Sequence, residues 1–151
     1  MKLDDMIDQP GTVAISDAKA ALPKGRAKAT LTQVSAPAAT KGGMWSIITA
    51  TFLVEGTPYN EEIGRASITP RYKLFIAVDE NGDIDTGNKE DGTAKNASLA
   101  RFFKAFGRST EGSSFNDLVG SDCEVTLAPE IDSRSEEPTG FVQVTGVYKQ
   151  R

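Results

Sequence analysis

The sequence contains no histidine. That removes the commonest general base, the commonest zinc ligand and every Ser-His or Cys-His nucleophile arrangement. Its single cysteine, Cys123, excludes an internal disulfide, so no cross-link framework offsets the modest size. No stretch approaches the ~20 apolar residues that span a bilayer. The N-terminal run Met1-Lys2-Leu3-Asp4-Asp5-Met6-Ile7-Asp8 is acidic and lacks the apolar core of a secretory signal. The expectation is a cytoplasmic chain without catalytic residues, metal, cofactor or membrane association. Enzymes without histidine use carboxylate pairs, lysine or bound magnesium, but most acids here fall on segments that read as loops or arm.

What is present is enough for one domain, since 151 residues suffice for a sizeable core. The net charge of -4 is unevenly distributed. Segment 1–22 holds Asp4, Asp5, Asp8 and Asp17 against Lys2 and Lys19. Segment 79–91 holds Asp79, Glu80, Asp83, Asp85, Glu90 and Asp91 against Lys89. Segment 129–137 holds Glu130, Asp132, Glu136 and Glu137 against Arg134. The remainder of the chain is net +6, so acidic loops and an acidic arm surround a modestly basic body.

Residues 1–22 show no period and read as a loosely ordered arm; residues 23–151 read as one domain. Period-two alternation, the mark of half-buried strands, begins at Arg26 and places Ala27, Ala29 and Leu31 opposite Arg26, Lys28 and Thr30. A turn-rich loop spans Ser35 to Gly43. A second strand over Met44 to Val54 sets Met44, Ile48, Ala50, Phe52 and Val54 against Trp45, Ile47, Thr49 and Thr51. After the turn Glu55-Gly56-Thr57-Pro58, a third strand is expected over Glu62 to Thr69, and Pro70 marks an edge or bend. Tyr72 to Val78 extends it, closed by the hairpin signal Asn81-Gly82.

A helix follows, with Asn96 as cap, Leu99, Phe102, Phe103 and Phe106 on its apolar face and Gly107 as stop. A strand over Cys123 to Leu127, an acidic loop over 129–140 and a strand over Phe141 to Tyr148 complete the chain. The order strand, strand, strand with an extra hairpin, helix, strand, strand predicts a mainly β protein. Its fold is a five-stranded Greek-key barrel of the OB type, with the helix between strands 3 and 4. An α+β sandwich with the same strand count is the rival.

OB-folds bind ligands on the outer face of strands 2 and 3, flanked by the loops joining strands 1–2 and 4–5. Single-stranded nucleic acid is held there by stacked aromatic rings and a basic groove. The candidates for such contacts are Arg26, Lys28, Lys41, Trp45, Thr49, Tyr59, Arg65, Ser67, Arg71, Tyr72 and Lys73. Trp45 has two readings, a base-stacking ring or a lid on the barrel, and its register opposite Ile48 and Phe52 points outward. Tyr72 shares the register of Leu74 and Ile76, which favours the core; Tyr59, beside a turn, is open to either. Arg101, Lys104 and Arg108 read as the solvated side of an amphipathic helix, away from the ligand face. The acidic loop 129–140 flanks that face and would repel phosphates unless it swings aside.

Two patterns imitate sites. Asp79, Asn81, Asp83, Asp85 and Glu90 fall at calcium-loop positions 1, 3, 5, 7 and 12, but position 6 is Ile84 where the turn needs glycine. Asn96-Ala97-Ser98 matches a glycosylation acceptor that a cytoplasmic chain does not use. Cys123, within a predicted strand and without a basic neighbour, is expected to be inert.

Leu22-Pro23-Lys24-Gly25, Thr40-Lys41-Gly42-Gly43, Asn81 to Gly87, Asn96 to Leu99, Ala105-Phe106-Gly107 and Phe115 to Gly120 together resemble the phage-encoded OB-fold single-stranded-DNA-binding proteins. The resemblance covers about residues 22–148 and carries over no catalytic residue. It implies sequence-independent coating of single-stranded DNA in replication, recombination or repair, in the cytoplasm of a host bacterium. It also implies replication or recombination proteins as partners, and a possible homo-oligomer. Many members recruit enzymes through an acidic C-terminal tail. Residues 146–151 here are not acidic, which leaves that role to a tail outside this sequence or to the acidic arm. The alternative reading is an OB-like interaction or structural module of a phage or bacterial assembly.

Overall fold

Alternating apolar residues lay down the strands of this computed structural model, which describes residues 8–10, 12, 25–40 and 42–151. The expected arm over 1–22, apart from those short pieces, and the candidate Lys41 lie outside the described residues. The elements in chain order are β1 (Ala27–Val34), β2 (Ala38–Ala39), β3 (Trp45–Glu55), α1 (Pro58–Ile63), β4 (Ser67–Ile68) and β5 (Arg71–Ala77), then α2 (Ala97–Lys104), α3 (Phe115–Leu118), β6 (Asp122–Ile131) and β7 (Pro138–Tyr148). Neighbours run β1-β6-β7-β5-β3, and β1 pairs again with β3, which closes a five-stranded barrel of OB-like order. β2 and β4 pair with β3 outside the ring. This is the fold class that the alternation predicts.

The inward register is the predicted one except at Met44, which lies just ahead of β3, outside the ladder, and is exposed. Ala27, Ala29 and Leu31 of β1, Ile48, Ala50, Phe52 and Val54 of β3, and Leu74 and Ile76 of β5 are buried. Cys123, Val125 and Leu127 of β6 and Val144 of β7 meet them. Each such large apolar side chain contributes roughly 1.5–3 kcal/mol on leaving water. α2 packs on β5 and β7 through Leu99, Phe102 and Phe103. Phe102 lies 6.1 Å from Tyr72 with nearly parallel rings, and Phe103 lies 5.0 Å edge-on from Phe115.

Three further expectations need correction. The stretch 62–69 is not the third ring strand. Asn60 accepts the backbone N–H of Thr57 at 3.1 Å and its hydroxyl at 2.8 Å, and donates to the Val54 carbonyl at 2.9 Å. With Pro58 at the first helical position, this turns the chain into α1, which Gly64 ends at φ 76°. The third ring strand is β5, read from sequence as an extension. The acidic loop is also shorter than expected, because β6 and β7 continue their ladder to Ile131 opposite Pro138 and leave a turn over 132–137. Asp132 organises that turn by accepting the N–H of Arg134 at 2.8 Å.

Asn96 occupies the cap position of α2, but its side chain does not cap it. Instead its amide accepts from Ala77 N–H at 2.8 Å and donates to the carbonyls of Ala77 at 3.0 Å and Asp85 at 2.8 Å. It thereby ties the end of β5 to the hairpin around Gly82 and to the start of α2. Asn96→Ala would leave the Ala77 N–H and the Asp85 carbonyl unpaired, while the Ala77 carbonyl keeps the N–H of Asp85 at 3.0 Å, and we predict a loss of about 1–3 kcal/mol. Urea unfolding checks this: a midpoint shift worth under half a kcal/mol would show that water replaces the amide.

Candidate nucleic-acid interface

Antiparallel pairing of β3 with β5 fixes which side chains share the outer face. Trp45 stands opposite Ala77, Ile47 opposite Phe75, Thr49 opposite Lys73 and Thr51 opposite Arg71. β5 and β7 run parallel and pair through one rung, Arg71 opposite Gln143, so the outward residues Phe141, Gln143 and Thr145 continue the same surface. Three aromatic side chains therefore remain in solvent on one side of the barrel: Trp45 is 40%, Phe75 51% and Phe141 63% exposed. Met44 and Ile131 at its margins are exposed too.

Two clefts follow the seam between β5 and β7. One is lined by Arg65, Ser67, Arg71 and Phe141, with Glu130 at its side. The next is lined by Arg71, Lys73, Phe75, Ile131 and Gln143, with Glu130 and Asp132 from the β6–β7 hairpin. Among the described residues, Arg65, Arg71 and Lys73 form no ion pair. The wall made by β1 and β6 is different. There Arg26 lies 3.9 Å from Glu124 and stacks 4.0 Å above the Tyr148 ring, and Lys28 lies 3.6 Å from Asp122.

The structure thus brings Trp45, Thr49, Arg71 and Lys73 together. Arg65 and Ser67 join them, but from the loop after α1 and from β4 rather than from a ring strand. Arg26 and Lys28 are outward as predicted, but they stand on the β1–β6 wall with acidic partners. Tyr72 is half-buried against Phe102, with an edge in the second cleft. Burial raises its phenol above the usual range, with Arg101 opposing the shift. Tyr59 is a correction: it is only 3% exposed and donates to the Gly25 carbonyl at 2.8 Å, so it serves the core and no base can reach it. Sequence reasoning missed Phe75 and Phe141, although the same alternation that turns Trp45 outward applies to both.

Two acids of the calcium-like stretch, Asp79 and Asp85, are engaged in their own turns. Asp79 accepts the N–H groups of Asn81 and Asp83, at 2.9 and 3.0 Å. Asp85 holds Lys95 at 2.9 Å and accepts Gly87 N–H at 2.7 Å. Lys95 first, then that N–H, keeps the Asp85 carboxyl below the usual carboxylate range. Among the described residues no three acidic, histidine or cysteine side chains converge to hold a metal. No helix among them is long and apolar enough to cross a membrane. Comparison with protein-family models and with curated proteins finds no match for this chain.

Cys123 is fully buried in β6. Burial chiefly, then the neighbouring charges of Asp122 and Glu124, push its thiol up to about 12. Thiolate is the reactive form, so we predict no modification of native protein by an aromatic disulfide reagent at pH 8 and complete reaction in urea. Rapid labelling of the native protein would contradict this burial.

Proposed function

We propose that the outer face formed by β3, β5 and β7 binds single-stranded DNA without sequence preference. In this role the protein coats and protects single strands during replication, recombination or repair, with no catalytic step of its own. The observation that carries the reading is the combination of Trp45, Phe75 and Phe141 in solvent beside Arg65, Arg71 and Lys73, which form no ion pair among the described residues. Any base offers a π-face to such rings, at ~1–3 kcal/mol per stacked base, and the cations follow a backbone that is the same in every sequence.

The neighbouring carboxylates of Glu130 and Asp132 lower the net attraction for phosphate. Stacking then supplies the larger share of affinity, and the three cations supply a modest salt response. A second reading, a protein-interaction module, is favoured by the exposed Met44, Ile131 and Phe141, which would also suit an apolar partner.

Titration of Trp45 fluorescence with poly-dT at several salt concentrations tests the proposal, with duplex DNA as control. Quenching by poly-dT alone is expected, with a log–log salt slope of about -2 for three phosphate contacts. Phe75→Ala should weaken binding by about 1–3 kcal/mol, close to 5- to 150-fold, without altering the unfolding midpoint. Absence of both quenching and a gel shift would leave the interaction module as the better account.

A further inference from the structure

The two clefts on the β5–β7 seam do not end at Phe75. Past them lies a third, walled by Tyr72 and Thr145, which it shares with the second cleft, and by Ser98, Arg101, Gly146 and Tyr148. The first and second clefts are likewise continuous, through Arg71 and Glu130. We infer that a bound single strand continues along this seam onto α2, where Arg101 takes a backbone phosphate in the third cleft. The inference rests on the proposed function and extends its site beyond the strand faces to the helix between the third and fourth ring strands.

Charge gives the first argument. Glu130 stands in the first cleft, and Glu130 and Asp132 in the second, whereas the lining of the third contains a guanidinium and no acid. Of the three, it is the cleft in which an anion meets a cation without an opposing carboxylate. Arg101 forms no ion pair among the described residues, and its guanidinium donates one long hydrogen bond, 3.3 Å, to the Ser98 hydroxyl. Its other N–H donors have no partner among the described residues and suit a bidentate phosphate contact of the kind guanidinium makes well.

Geometry gives the second. Ser98 and Arg101 are three residues apart on α2 and so face the same way, while Leu99, Phe102 and Phe103 fix the helix on the barrel. Tyr72 stacks on Phe102 and forms a fixed floor between the second and third clefts. Tyr148 forms the far wall. Arg26 already covers its ring at 4.0 Å, and a Cβ placed on Gly146 would meet its hydroxyl oxygen at 2.5 Å. Tyr148 is thus already stacked by Arg26 and Tyr72 by Phe102, so the distinguishing group of the cleft is the Arg101 guanidinium, which suits a phosphate rather than a nucleobase.

Oligomers of two lengths test this, chosen from the ~4–16 nucleotides an OB-fold covers: (dT)4 for the outer face alone and (dT)16 for the whole seam. Arg101→Gln should weaken (dT)16 by about fivefold and reduce its log–log salt slope by about 0.7, one phosphate, while leaving (dT)4 quenching of Trp45 unchanged. Ser98→Asp, which places an acid in the cleft from an exposed position, should act in the same direction. Arg101→Lys should recover part of the loss. Lys104→Gln removes one charge from the same helix outside the cleft and should leave both oligomers as they were. If Arg101→Gln matches wild type on (dT)16 while Trp45 is still quenched, the third cleft is not part of the path and the proposed function stands. An equal loss from Lys104→Gln would also overturn the inference, because the effect would then be general helix charge. If the unaltered protein binds neither oligomer, the DNA reading fails and the third cleft with it.

Discussion

β1 belongs to two ladders, and the closure of the barrel depends on it. Its first half, Ala27 to Thr30, pairs with β6, and its second half, Thr30 to Val34, pairs with β3. A register shift between Leu31 and Gln33 accompanies the change of partner. An extra residue at such a point bends a strand and increases its twist, which is what a strand must do to turn from one wall of a small barrel into the next. Ala27 and Ala29 are small where β1 meets β6, and Leu31 fills the centre with Phe52 and Val125. Without this junction β3 and β6 would each present an unpaired edge. With it, the inward and outward sets of every ring strand are fixed, and so is the composition of the outer faces.

Closure also divides the charges. On the β1–β6 wall, cations and acids lie across from each other and pair, so Arg26, Lys28 and Arg151 add little net field. The β5–β7 seam cannot neutralise itself in the same way. Its strands pair through a single parallel rung and then part, which opens the clefts and separates Arg71 and Lys73 from direct partners. Surface ion pairs are individually weak, at ~0–1 kcal/mol, so the pairing on the other wall matters less for stability than for removing competing cations. Arg65, Arg71 and Lys73, which form no ion pair among the described residues, stand on the face that also carries the exposed rings.

Much of this was legible in the sequence because alternation is a local property. The inward residues of β1 and, from Ile48 onward, of β3 follow from period two alone, and so does the outward position of Trp45. Phe75 and Phe141 obey the same rule, although neither stands among the candidates named from sequence. The error at 62–69 has a different origin. There, alternating Ile63, Arg65, Ser67 and Thr69 imitate a strand, while Thr57-Pro58 with Asn60 carries a helix-start signal whose strength lies in hydrogen bonds that reach back to Val54. Asn96 shows the limit of local reasoning most clearly. Its position marks a helix cap, yet its amide bonds to Ala77 and Asp85, partners that only the folded hairpin brings near. Pairing across the β1–β6 wall is likewise invisible until the ring closes.

The acidic hairpin tip is the feature that sits least easily with a nucleic-acid face, and its geometry suggests how the two coexist. Glu130 and Asp132 reach the clefts from the end of the β6–β7 ladder, whereas Arg65 comes from the loop after α1 and Arg71 and Lys73 from β5. At physiological ionic strength charges are screened within about 8 Å, so each acid acts on its immediate surroundings rather than on the whole face. On the proposed reading, the tip does not abolish attraction along the seam but grades it. Phosphate would be held weakly beside the hairpin and more strongly toward α2, where the lining of the third cleft has no carboxylate. In such a gradient the rings hold the bases and the charge sets the direction in which the backbone runs. A barrel with net charge -4 can then bind a polyanion, because the field that matters is the one inside the clefts and not the total.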